Sequence, residues 1–76
     1  MNDLHHLPDG SVEAAIERAK RECGGMNQLV GRIDASESTI RNWIKCNRVP
    51  AWRAKVIELE LGVEVVKRSE LNESFL

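Results

Sequence analysis

No apolar run in this 76-residue chain approaches the roughly 20 residues that a membrane-spanning helix needs. The opening stretch MNDLHHLPDG lacks a cationic start, an apolar core and a small-residue cleavage pattern, so no export signal is read there and a cytosolic setting is expected. Cysteine is scarce: Cys23 and Cys46 lie far apart, outside any CxxC or CxxxC pair. That spacing removes the basis for a zinc site or a redox dithiol, and reduced structural thiols are expected. His5 and His6 are adjacent on a polar tail and cannot close a metal shell alone. Also missing are a Ser, His and Asp set, paired carboxylates, a Gly-rich phosphate loop and a metal-ligand cluster. With them goes any sequence argument for an enzyme, a cofactor or a small-molecule substrate.

One absence is local. Residues 38–57, STIRNWIKCNRVPAWRAKVI, contain no Asp or Glu but hold Arg41, Lys45, Arg48, Arg53 and Lys55. The rest of the chain holds six bases against twelve acids, so a formal net charge of -1 conceals a segment of +5 beside a remainder of -6. Phosphates respond to the local cations, because screening confines charge to about 8 Å at physiological salt. A run of cations is often only a solvated helix face, so its place in the fold matters. With 42% hydrophobic and 30% charged residues the composition is that of an ordinary globule, near the lower size limit for burying a core.

Periodicity predicts helices. Val12, Ala15, Ile16, Ala19 and Cys23 share one face of a helix that Ser11 is expected to cap and Gly24 to end. The domain boundary is drawn there: a flexible tail over residues 1–10 and a folded domain over 11–76. Leu29, Val30 and Ile33 mark a second helix of about two turns, too short to stand without packing. In DASES, Asp34 tolerates unusual backbone angles and Ser36 can cap a third helix over residues 36–46. That helix has a narrow apolar stripe of Ile40, Trp43 and Ile44, with Glu37, Ser38, Arg41, Asn42 and Lys45 turned elsewhere. Pro50 suits the first turn of a fourth helix, residues 50–61, and Gly62 its end. This helix has two apolar stripes: Ala54, Ile57 and Leu61, and nearly opposite them Trp52, Val56, Leu59 and Val63. Either the C-terminal segment folds over the second stripe or another subunit covers it. The expected fold is all-α, a compact bundle of four to five short helices. A strand at Val63 to Val66 is the alternative after the fourth helix, since VEVV is β-prone.

Helix, tight turn and polar-faced helix is the arrangement that places a helix in the DNA major groove. A register starting at Met26 puts Leu29, Ile33, Ala35, Ile40 and Trp43 at the apolar places of the helix-turn-helix pattern. Val30 stands where Ala is usual and Asp34 where Gly is usual. The ordered set Gly24-Gly25, Trp43, Val49-Pro50, Ile57-Glu58 and Gly62, within residues 12–71, resembles the Cro-like, YdaS-type repressors of phages and prophages.

The resemblance implies a lambda-repressor-like, non-enzymatic transcriptional repressor in the bacterial cytoplasm and nucleoid. Its implied partner is a palindromic double-stranded operator, bound as a homodimer with helix 36–46 in the major groove. Glu37, Ser38, Arg41, Asn42 and Lys45 then occupy base-reading places: Arg41 suits guanine O6 and N7, Asn42 adenine, and Glu37 a cytosine amino group. Asn27, Gln28, Ser36, Thr39, Arg48 and Arg53 are the expected phosphate contacts. Trp52, Val56, Leu59 and Val63 are the candidate dimer contact. A competing reading uses that second stripe differently, as the docking face of an antitoxin-like or adaptor module.

Overall fold

The spacing of apolar residues sets the architecture seen in a computed structural model, which describes residues 6–76. Five α-helices follow one another: α1 Ser11–Cys23, α2 Met26–Ile33, α3 Glu37–Cys46, α4 Ala51–Leu61 and α5 Arg68–Leu71, with a 3-10 turn at Glu73–Phe75. Each helix turns its apolar face inward, and Val12, Ile16, Leu29, Ile40, Val49, Ile57, Val66 and Leu71 are fully enclosed. The fold class is therefore all-α, and among the described residues there is no strand. No helix among them is long and apolar enough to cross a membrane.

The corners follow from backbone chemistry. Gly24 and Gly25 both adopt positive φ (95° and 130°), which lets α1 end and α2 begin almost at once. Between α2 and α3 the chain reverses in three residues. Asp34 takes the left-handed conformation (φ 55°), Ala35 is buried, and the Ser36 hydroxyl accepts from the Thr39 amide at 3.2 Å as an N-cap. All five apolar places of the register from Met26, namely Leu29, Ile33, Ala35, Ile40 and Trp43, lie in the core.

Several expectations are corrected. Ser11 does not cap α1; Gly10 holds that position, and the Ser11 hydroxyl donates to the Glu70 carbonyl at 2.8 Å. The Val12 amide, an orphan donor of the first turn, is met from a distance by Asn47 Oδ1 at 3.0 Å. Asn47 Nδ2 also donates to the Pro8 carbonyl at 3.0 Å, and Leu7 is buried, so the packed domain begins before residue 10. The tail's first five residues, His5 included, lie outside the described residues. Pro50 precedes α4 rather than opening its first turn. The strand alternative fails because Val65 and Val66 direct their amides to the Gly62 carbonyl (3.0 and 3.1 Å), curling the chain into a turn that buries Val66. Of the two thiols, Cys23 packs partly against the core while Cys46 is exposed, so only the first has a structural place.

The C-terminal segment returns along α1 and the inner side of α4. Arg18 holds it by donating to the Val65 carbonyl at 2.9 Å and pairing with Glu70. The Val49 amide donates to the Leu71 carbonyl at 2.8 Å, and buried Asn72 donates to the Val49 carbonyl at 2.6 Å. This segment thus locks the corner between α3 and α4. It does not cover the second stripe of α4, where Trp52 is 64% and Leu59 79% exposed.

Candidate nucleic-acid interface

Ile40 and Trp43 anchor α3 in the core, and this fixes which of its side chains can leave the surface. Ser38, Arg41, Asn42 and Lys45 fall on the opposite side of the helix and are exposed. Glu37 lies at the edge of that face, half-buried, and accepts from Arg41 Nε at 2.9 Å as well as from Arg41 Nη2. The two expected base readers are therefore an (i, i+4) pair whose guanidinium is oriented in advance, with the Arg41 side chain 70% exposed. Asn42 carries a long contact from the Cys46 thiol, 4.0 Å to its Oδ1. Lys45 completes the strip one turn further on.

Two grooves flank α3, and their charges differ. Toward α1, a groove of about 310 Å³ is lined by Glu13, Glu17, Lys20, Met26, Arg41, Ile44 and Lys45, so carboxylates face the cations there. Toward α4, a groove of about 480 Å³ is lined by Asn42, Trp43, Cys46, Arg48, Pro50 and Ala51, with no acid among them. The two linings carry the same formal charge, +1, but only on the Arg48 edge is the cation without a carboxylate beside it.

The expected phosphate contacts separate into three groups. Asn27 and Gln28 are exposed in the first turn of α2, whose N-terminus has no side-chain cap. Arg48 is exposed beyond α3, after Asn47 in the left-handed conformation. Ser36 and Thr39 are bonded to each other, the Ser36 hydroxyl reaching Thr39 Oγ1 at 2.9 Å, so Ser36 serves first as the cap. Arg53, expected among the phosphate contacts, is engaged within the chain as a structural staple. It donates to the carbonyls of Ile33 and Asp34 (2.9 and 3.0 Å), and its guanidinium lies 5.0 Å from the Trp52 ring centre and 5.7 Å from that of Trp43. It satisfies the end of α2 and ties the turn to α4.

The sequence reading missed one element of the site. The N-terminus of α4 has no side-chain cap, and it opens beside Arg48 in the acid-free groove. The first-turn amides of Ala51 to Arg53 have no intrahelical acceptor, a disposition that favours anions. The signal was legible: the residue before this helix is Pro50, which offers no side-chain acceptor. Among the comparisons, the chain matches no protein-family model, no curated protein and no solved structure.

Proposed function

We propose that the protein is a sequence-specific, DNA-binding transcriptional repressor of Cro type that lays α3 in the major groove of a palindromic operator, one copy per half-site. The observation that carries this reading is the outward face of α3. Ser38, Arg41, Asn42 and Lys45 project together from a helix anchored by Ile40 and Trp43 and braced through a three-residue turn by α2. A base-reading helix with a supporting helix behind it requires such an arrangement. Arg41 reads guanine and Asn42 adenine, each through two hydrogen bonds. Glu37 holds Arg41 in line and accepts from a cytosine amino group, and it discourages the guanidinium from settling on any phosphate. Arg48, with the open first turn of α4, grips the backbone on the acid-free edge, and Asn27 and Gln28 with the open first turn of α2 grip it at the other end of the motif.

In this reading the chain acts in a bacterial cytoplasm and has no catalytic role. Enrichment of random duplexes on the purified protein is the test. A palindrome with half-sites about one helical turn apart is the expected winner. Failure to enrich any sequence, with no binding at low salt, overturns the reading. The adaptor alternative draws on a separate observation, the open apolar stripe of α4. It predicts partner binding that survives loss of Arg41 and Lys45.

A further inference from the structure

We infer that α4 is the seam of a homodimer, lying parallel to α4 of a second copy, with Lys55 of each chain facing Glu60 of the other. This concerns a face distinct from α3 and stands independently of DNA reading, although it supplies the pairing that a palindrome requires. Trp52, Val56, Leu59 and Val63 are the large apolar residues exposed on or directly after α4. Within the helix Trp52, Val56 and Leu59 step by four and three, the alternating spacing of the two core positions of a heptad, and Val63 follows just past the bend at Gly62. The opposite side of α4 is already used, since Ala54, Ile57 and Leu61 are buried. The C-terminal segment packs elsewhere, and among the described residues no other segment covers the stripe.

Area and charge name the occupant. Trp52 is 64%, Val56 41%, Leu59 79% and Val63 56% exposed. Applied to side chains of a few hundred Å² at most, these fractions leave roughly 450 Å² of apolar surface per copy. Two copies together bury about 900 Å² before their rims are counted, at the low end of specific interfaces, which fits a concentration-dependent dimer rather than an obligate one. Lys55 and Glu60 flank the seam at the positions that pair across parallel strands. Lys55 has no carboxylate partner among the described residues; its ammonium lies 5.9 Å from the Phe75 ring centre. Among the described residues Glu60 meets only Arg32, at 3.5 Å, with both side chains about half exposed. An antiparallel pairing would set Arg53 against Glu60, but Arg53 is bonded to the carbonyls of Ile33 and Asp34.

Sedimentation equilibrium of the full chain over a concentration series tests this. Wild type is expected to dimerise reversibly. Leu59→Glu is expected to stay monomeric with an unchanged helical circular dichroism spectrum, because residue 59 touches solvent rather than core. Charge reversal, measured in an Arg32→Gln background so that the contact within the chain does not enter, is expected to weaken association about three- to tenfold for Lys55→Glu. The double variant Lys55→Glu, Glu60→Lys is expected to restore it. A wild type that stays monomeric at the highest concentration overturns the seam, as does a Leu59→Glu variant that still dimerises. A double variant that fails to recover overturns the parallel arrangement. Binding of Leu59→Glu to a single half-site duplex at low salt reports on α3 separately, so a failed seam and a failed DNA reading give different results.

Discussion

Helices α3 and α4 are consecutive, nearly equal in length and each buried along one side, yet they offer solvent opposite chemistries. The outward face of α3 is Ser38, Arg41, Asn42 and Lys45; that of α4 carries the apolar stripe of Trp52, Val56 and Leu59, continued by Val63 just past its end and flanked by Lys55 and Glu60. Polar side chains that keep hydrogen-bonding capacity in water gain by meeting other polar edges, whereas an apolar stripe gains only by leaving water. The two faces therefore suit different partners, and one domain has room for both.

The largest effect is expected where both faces share a support. Ile40→Ala empties a fully buried position behind α3 and should cost about 2–5 kcal/mol in chemical denaturation, against almost nothing for Leu59→Ala on the open stripe at concentrations where the chain is monomeric. If the two cost the same, the division of α4 into an inner and an outer side is wrong. Next comes the reading face itself. Arg41→Ala should lose about 1–3 kcal/mol on the selected operator and little on random duplex, while Arg48→Ala should weaken both alike and flatten the salt dependence. Equal losses of Arg41→Ala on the two DNAs would deny base reading.

The corners at either end of α3 offer a sharper contrast. Asp34 and Asn47 share one left-handed conformation (φ 55° and 53°), but only Asn47 uses its side chain to bridge Val12 and Pro8. Asn47→Gly should cost about 1–2 kcal/mol of stability through two lost hydrogen bonds, and Asp34→Gly should be neutral or stabilise by up to about 1 kcal/mol. Thermal denaturation of the two variants side by side decides it. A smaller effect is expected at Glu37: Glu37→Gln frees Arg41 and should tighten random-duplex binding by about 1 kcal/mol or less, narrowing the ratio between operator and random DNA in gel-shift titrations.

The smallest effect lies away from both faces. Glu58 accepts from Arg68 Nε at 2.9 Å and from the Arg68 amide at 3.0 Å, and these bonds hold its carboxyl below the ordinary value of 4.5. A carboxyl whose folded pKa is depressed binds its proton more readily when unfolded. Its contribution is therefore fully present above about pH 4.5 and is lost as pH falls through the folded value. Glu58→Gln should accordingly lose less stability than wild type between neutral pH and pH 3, measured by denaturant midpoints.

Much of this molecule was legible in its residues. The four longer helices, the glycine corner at Gly24-Gly25, the turn at Asp34 and the cap at Ser36 follow from local chemistry that the chain states at each position. What escaped was non-local. Nothing near Asn47 in sequence says that it caps α1, because its partners Val12 and Pro8 come from the other end of the chain. Arg53 read as a free cation because the carbonyls it satisfies belong to a turn some twenty residues earlier. The β-prone VEVV became a turn because no strand partner exists among the described residues and Gly62 supplies the bend. For the site, helical spacing alone identified the exposed strip of α3; the Glu37–Arg41 pairing required coordinates, and the open N-terminus of α4 was signalled by Pro50 but passed over.

Titrating isotope-labelled protein with a duplex carrying a single half-site, and following each amide by NMR, tests the division between α3 and α4 most directly. The account predicts shifts gathered over residues 36–48 and the first turns of α2 and α4, with Val56, Leu59 and Val63 moving only with protein concentration. Shifts centred on Val56 to Val63, or none anywhere in dilute buffer, would contradict it.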